Sequence, residues 1–143
     1  MVPIEQSATP HWPSQSEHWV GIVDDDASIR TSLSRVLRLE GMRVETFACA
    51  EAALDRIALG APDCLVLDVH LGELSGFDLQ DRLLARGDAP PIIFITAHDE
   101  VPACRLTPLA GSAGYLRKPF DVAALISFIR PFVPATAPAT DGR

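Results

Sequence analysis

Residues 64–68 read Cys-Leu-Val-Leu-Asp, a continuous apolar run that ends in a carboxylate. Pro62 precedes the run and Asp68 closes it. An apolar run without polar alternation is typical of a central strand in a parallel sheet, because helices cover both faces of such a sheet. The run therefore predicts the centre of an α/β domain, with a carboxylate at the end of its central strand.

Short β-rich segments on either side of this strand are predicted to join the same sheet. They span residues 19–23, 43–47, 91–95 and 113–116. The intervening segments have helical spacing, and apolar residues at positions 29, 33, 36 and 37 recur on one helix face. Repeated strand–helix alternation predicts a parallel sheet with right-handed crossovers.

Capping residues mark the boundaries of the predicted helices. Asp26, Ser75 and Asp121 are placed to cap helices at their N-termini. Gly41 and Gly60 follow two of the helices, in a position where glycine is common. We predict helices between residues 26 and 41, over 50–59, from 75 to 86, and after 121.

Polar groups follow four of the five strands, at the points where these strands end. They are Asp24-Asp25, Asp68, Thr96 and Lys118-Pro119. In an open parallel α/β sheet, ligands bind in the crevice outside the carboxyl ends of the strands. One edge of the sheet is therefore expected to collect three carboxylates, one hydroxyl and one ammonium.

Three neighbouring carboxylates repel one another, so either a pKa rises or a cation neutralises them. Mg²⁺ suits such a pocket, because it prefers oxygen ligands and binds through one or two carboxylates plus phosphate. Asp68 can act as a phosphoryl nucleophile, with Thr96 and Lys118 stabilising the phosphoryl oxygens. Taken alone, Asp24-Asp25 also fits a turn-and-cap interpretation, but the other groups favour an acidic pocket.

The chain resembles the receiver domain of two-component response regulators, nearest the FixJ-like branch. The resemblance covers about residues 18–133, and its motifs agree in order and spacing. The matching segments are Val23-Asp24-Asp25-Asp26 with Ile29-Arg30, Leu65-Val66-Leu67-Asp68-Val69, Ser75-Gly76, Ile93-Phe94-Ile95-Thr96-Ala97 and Leu116-Arg117-Lys118-Pro119-Phe120. It implies a flavodoxin-like (βα)5 three-layer sandwich, with a parallel five-stranded sheet of order 2-1-3-4-5.

The resemblance also implies roles in phosphoryl transfer. Asp68 corresponds to the phosphoacceptor, while Thr96 and Lys118 correspond to the residues that hold the phosphoryl oxygens. Tyr115 matches the aromatic residue that turns inward when Thr96 moves, which is the switch of the family. The implied function is that of a signalling module, with only self-directed phosphoryl transfer and autodephosphorylation at Asp68.

The resemblance implies a Mg²⁺ site as well. Asp25 and Asp68 would bind the ion directly, Asp24 would bind it through water, and the backbone carbonyl of His70 would complete the set. His70 and His98 lie two residues beyond Asp68 and Thr96. They are either exposed loop residues, or residues that set the hydrolysis rate, or parts of a soft-metal site with Asp68.

Three departures from the family pattern affect these expectations. Leu71-Gly72-Glu73 replaces the usual Leu-Pro-Gly, and the missing proline is expected to loosen the loop. Pro108, with Gly111 and Gly114, weakens the helix expected between the fourth and fifth strands, so residues of about 99–112 are predicted to be short-helical or irregular. No output domain follows the receiver segment, which predicts a single-domain form.

Length and composition limit the remaining alternatives. The 143 residues, 48% of them hydrophobic, fit one domain at 19–133 between a disordered leader (1–18) and a disordered tail (134–143). His11 and His18 are expected to be solvated in the leader. A net charge of −7 without a basic stripe argues against direct nucleic-acid binding.

The cysteines and the hydropathy pattern predict a cellular location. Three widely spaced cysteines favour buried reduced thiols, and we expect no signal peptide and no membrane span. These features predict a cytoplasmic protein.

The predicted partners are a histidine kinase or a histidine phosphotransfer protein, and an unknown downstream protein target. A monomer or weak dimer is expected. Two alternatives stay open: the receiver fragment of a longer DNA-binding response regulator, and a phosphate-independent receiver-like binding module. A phosphatase of the haloacid-dehalogenase type is disfavoured, because His70 occupies the position where that class needs a second aspartate.

Overall fold

The computed structural model describes residues 18–87, 89–97, 102 and 112–134. Within these ranges, five parallel strands form one sheet in the order β2-β1-β3-β4-β5. The strands are β1 Val20–Val23, β2 Val44–Phe47, β3 Cys64–Asp68, β4 Ile92–Thr96 and β5 Ser112–Arg117. The flavodoxin-like fold and its predicted strand order are confirmed.

Helices cover both faces of the sheet. They are α1 Ala27–Leu39, α2 Ala50–Ile57, α3 Gly76–Arg86 and α4 Val122–Ile129, followed by the 3-10 turn Arg130–Phe132. Alternate side chains of a strand point to opposite faces. Leu65 and Leu67 of β3 accordingly pack with α2 and α3, whereas Cys64 and Val66 pack with α1 and α4. The central strand predicted from its apolar run is therefore buried on both sides.

The predicted helix caps are present. Asp26 accepts a hydrogen bond from the Ser28 backbone N–H, and Asp121 accepts one from that of Ala123. Ser75 and Asp78 form a reciprocal capping box at the start of α3. α2 ends at Ile57, two residues earlier than predicted, and the following turn is held by 3-10-type bonds.

The loop after β3 contains a short antiparallel ladder. His70–Leu71 pairs with Leu74–Ser75 in a two-residue antiparallel ladder. Gly72 closes the turn with φ 85°, a conformation that glycine adopts without steric cost. The loop is therefore hydrogen-bonded without the usual proline, and its looseness stays a prediction.

The segment before β1 also differs from its prediction. His18 lies with its Nδ1 atom 3.2 Å from both carboxylate oxygens of Asp63, so it contacts the folded domain. The predictions for the rest of the leader, the tail, His11, His98, Pro108 and Gly111 concern positions outside the described residues. None of the helices in the described ranges is long and apolar enough to cross a membrane.

Candidate functional site

The carboxyl ends of β1, β3, β4 and β5 bring the predicted polar groups together. Asp24 follows β1, Asp68 ends β3, Thr96 ends β4 and Lys118 follows β5. The Lys118 backbone N–H donates to the Thr96 carbonyl at 2.7 Å, which holds the ends of β4 and β5 in register. The Lys118–Pro119 peptide bond is cis.

Three carboxylates form an acidic cluster at this edge. One oxygen from each of Asp24, Asp25 and Asp68 lies within 4.8 Å of the other two. Asp24 is completely buried and Asp68 is 5% exposed, whereas Asp25 faces solvent. Two carboxylates of the cluster are therefore buried, and the third is accessible to solvent.

One ammonium group bridges the two buried carboxylates. Lys118, the sole lysine of the chain, places Nζ 3.0 Å from an Asp24 oxygen and 3.4 Å from an Asp68 oxygen. Burial works to lower the pKa of Lys118, but its hydrogen bond to Asp24 and the charge of Asp68 outweigh this and raise it. The ammonium therefore stays protonated at neutral pH.

Asp68 has an unfavourable environment for a negative charge. Burial raises the pKa of its carboxyl group, the Asp24 charge raises it further, and Lys118 lowers it only in part. The His70 backbone N–H donates to Asp68 Oδ1 at 3.3 Å. An incompletely neutralised carboxylate of this kind gains from any additional cation.

Two residues that sequence reasoning left without a role support the cluster. Arg30 of α1 donates from Nη1 to the Asp24 carbonyl at 2.7 Å. Gly76 packs so closely on the end of β3 that a Cβ atom there would lie 2.4 Å from the Asp68 carbonyl oxygen. Both residues fall in the matching motifs, which is the signal that could have identified them.

Three of the remaining predicted residues, Thr96, His70 and Tyr115, fall within the described residues. Thr96 is buried at the end of β4, and His70 is exposed. Tyr115 of β5 is half-buried, lies opposite Phe94 in the sheet register, and packs against the core on the α2–α3 side. His98 falls outside the described residues.

The donor set fits Mg²⁺. Three carboxylate groups supply hard oxygen ligands, and the cluster contains no sulfur or imidazole donor. Lys118 offsets only one of the three possible negative charges. Asp24, Asp25 and Asp68 are the side chains that would hold the ion.

Comparisons with known proteins agree with this geometry. The family model described as "Response regulator receiver domain" matches residues 20–130. The response regulator protein TmoT of Ectopseudomonas mendocina is 38% identical over 117 residues, which cover 82% of this chain and 53% of TmoT. The response regulator MprA of Mycobacterium avium (strain 104) is 40% identical over 121 residues, 84% of this chain and 53% of MprA. The chain thus spans about half the length of these curated relatives.

Solved structures show the same similarity. The response regulator StyR superposes with a TM-score of 0.74 at 41% identity, covering 82% of this chain and 59% of StyR. The structure described as FixJ-N superposes with a TM-score of 0.71 at 30% identity, covering 83% of this chain and 98% of that one. This chain therefore belongs to the response regulator receiver domain family of two-component systems.

Proposed function

We propose that this chain is a phosphorylatable receiver module of a two-component or phosphorelay pathway. Asp68 accepts a phosphoryl group from the phosphohistidine of a histidine kinase or histidine phosphotransfer protein. The main support for this proposal is that the Lys118 ammonium group contacts the carboxylates of both Asp24 and Asp68. The proposed receiver spans residues 19–133.

In the transfer step, an Asp68 carboxylate oxygen attacks the phosphorus of the donor. A P–O bond forms, the P–N bond breaks, and the imidazole leaves with the bonding electrons and takes up a proton. The Lys118 ammonium and the Thr96 hydroxyl donate to the phosphoryl oxygens. Bound Mg²⁺ supplies further positive charge at the carboxylates and phosphoryl oxygens.

Hydrolysis ends the signal. Water attacks the phosphorus of the aspartyl phosphate, inorganic phosphate leaves, and the Asp68 carboxylate is restored. The only chemistry in this cycle is phosphoryl transfer to the chain's own Asp68 and its hydrolysis, which is the behaviour of a signalling module. His70 and His98 are proposed to set the lifetime of the phosphorylated state.

The proposed output is a change of surface near β5. Thr96 moves toward the phosphoryl group, and the half-buried Tyr115 ring follows inward. A downstream protein then reads the altered surface. The position of Tyr115 on β5, which pairs with β4 through Thr96 and Arg117, supports this coupling.

Phosphorylation with acetyl phosphate and Mg²⁺ tests the acceptor. We expect one labile phosphoryl group on the wild-type chain, detected by intact-mass spectrometry, and none on Asp68→Ala. Asp55→Ala is the matched control, because Asp55 is an exposed carboxylate on α2 away from the cluster. Label that persists in Asp68→Ala would assign the acceptor elsewhere.

Thermal melting with and without Mg²⁺ tests the metal site. Mg²⁺ should raise Tm by mass action, because it binds the folded chain. Asp25→Ala should remove this rise, since Asp25 is the solvent-facing ligand of the cluster. Equal melting temperatures of the wild type in both buffers would contradict a Mg²⁺ site.

A second candidate is the receiver portion of a longer DNA-binding response regulator. The coverage of only 53% of TmoT and MprA favours it. The same Asp68 chemistry would then control a separate output domain. Reading the genomic sequence beyond codon 143 distinguishes this candidate from a single-domain receiver.

A further inference from the structure

A groove of about 530 Å³ lies between α1 and β2; Arg30, one of its lining residues, hydrogen-bonds the Asp24 carbonyl, but none of the three clustered carboxylates lines it. Three guanidinium and three hydroxyl groups supply its polar lining: Arg30, Arg35, Arg38, Thr31, Ser34 and Thr46. None of the described residues that line it is acidic. A lining made of cationic donors and hydroxyl groups is suited to a negatively charged ligand.

The three arginines retain most of their hydrogen-bonding capacity. Arg30 donates from one nitrogen to the Asp24 carbonyl, and Arg38 donates from one nitrogen to the Val44 carbonyl. Each guanidinium has five N–H donors, so several stay available in both side chains. Arg35 is exposed and pairs with no carboxylate among the described residues.

Two of the neighbouring carboxylates, Glu40 and Glu45, are engaged elsewhere. Glu40 pairs with Arg130, and Glu45 forms a two-point contact with Arg56 at 2.9 and 3.1 Å. The positive charge of the groove is therefore not neutralised by these neighbours. It stands out in a chain whose net charge is −7.

The charges are spread along a line instead of converging on one point. Arg30 and Arg38 are two helical turns apart, which separates them by about 12 Å along the helix axis. Alternate residues of an extended chain repeat every ~6.6–6.8 Å. A line of charges about 12 Å long is comparable to two such repeats, about 13 Å, and exceeds the size of a single phosphate group.

We propose that this groove binds an extended acidic segment of a partner protein, with its carboxylates along the line of Arg30, Arg35 and Arg38. β2 is the edge strand of the sheet, so an extended segment can lie alongside it. A nucleic acid fits less well, because no aromatic side chain among the described residues lines the groove for base stacking and the net charge repels long polyanions.

Fluorescence anisotropy with a fluorescein-labelled peptide of alternating Glu and Ser tests the proposal. The wild-type chain should bind this peptide at low ionic strength and lose affinity as salt is added. Arg35→Glu should weaken binding by about tenfold or more. Arg82→Glu is the matched control, because it makes the same charge change on exposed α3, and it should alter affinity by less than about twofold.

Two further measurements distinguish binding in the groove from binding at the acidic cluster and from a loss of folding. Binding should persist in Asp68→Ala, since the groove does not include the acidic cluster, so this result is independent of phosphorylation. Arg35→Ala should weaken binding without adding negative charge, and its melting curve should match the wild type.

Three outcomes would overturn the proposal. They are undetectable binding of the peptide to the wild type, equal losses in Arg35→Glu and Arg82→Glu, and tighter binding of a single-stranded oligonucleotide of equal charge. The last result would assign the groove to nucleic acid.

Discussion

The two ends of the sheet manage charge in opposite ways. At the carboxyl end, Asp24 and Asp68 are buried and share the ammonium of Lys118. Near the amino end, Glu45 accepts two hydrogen bonds from Arg56 and also lies 3.8 Å from Arg43. The carboxylate at the amino end is therefore fully compensated by arginines, whereas the excess of negative charge at the carboxyl end favours binding of a further cation.

The amino end gains further support from aromatic contacts. The Arg56 guanidinium lies 4.3 Å from the centroid of the Trp19 ring, and Trp19 meets Phe47 edge-on at 6.1 Å. The Asp63 backbone N–H donates to the Trp19 carbonyl at 2.8 Å. These contacts connect the starts of β1 and β3 and stabilise the amino end of the sheet. Together with the Arg56–Glu45 pair they form what we call the brace.

The largest effect is expected from removing the positive charge of Lys118 at the carboxyl end. Lys118→Met leaves Asp24 and Asp68 without their cation, which should lower the free energy of unfolding by roughly 3 kcal/mol in Mg²⁺-free buffer at neutral pH. Phosphorylation by acetyl phosphate should also be lost. Urea denaturation measures the first effect, and intact-mass spectrometry measures the second.

Lys118→Arg is the matched control, because it keeps the positive charge, and its stability should stay close to that of the wild type. The destabilisation of Lys118→Met should shrink as pH falls. The pKa of Asp68 is raised, so its carboxyl group takes up a proton at a higher pH than an ordinary aspartate and loses the charge that Lys118 offsets. A constant loss between neutral and acidic pH would contradict an electrostatic origin.

Removing the charge of Asp68 should raise stability, whereas removing the charge of Lys118 should lower it. Because the folded-state pKa of Asp68 is raised, its stabilising contribution is complete below the unfolded pKa and is lost as pH rises through the folded pKa. Asp68→Asn should therefore raise Tm by several degrees at neutral pH without Mg²⁺. The gain should be smaller in acid and in saturating Mg²⁺, and a lower Tm at neutral pH would refute the repulsion argument.

The carboxyl end was predictable from the sequence because backbone topology determines it. Each group of the site follows a strand, and parallel strands bring their ends to one edge, so the order of strands and polar residues along the chain was enough to group Asp24, Asp68, Thr96 and Lys118. The raised pKa of Asp68 follows from the same pattern, since this carboxyl group ends a fully apolar, buried strand.

The amino end was not predictable in the same way. The Arg56–Glu45 pair depends on side-chain directions from α2 and β2, which hydrophobic periodicity does not encode. His18 was assigned to a solvated leader, although its partner Asp63 lies 45 residues later. The groove on α1 was missed for the same reason, because its charges spread over about two helical turns in an acidic chain.

A smaller effect is expected from breaking the brace at the amino end. Arg56→Ala removes the contact with Glu45 and the stacking on Trp19, which should lower the free energy of unfolding by about 1–2 kcal/mol. The phosphorylation rate should not change, because Arg56 lies at the opposite end of the sheet. Arg82→Ala, at an exposed position of α3, is the control for loss of an arginine. An altered phosphorylation rate in Arg56→Ala would contradict the separation of the two ends.

The smallest effect is expected from His18. Its ring lies 3.2 Å from Asp63, but the two side chains are 34% and 19% exposed, so water screens the pair. His18→Ala should therefore lower the free energy of unfolding by only about 0.2–1 kcal/mol. A double-mutant cycle with Asp63→Ala, measured by urea denaturation, isolates the pair from the backbone bond to Trp19. A coupling energy above about 2 kcal/mol would show that the amino end depends on this pair as strongly as the carboxyl end depends on Lys118.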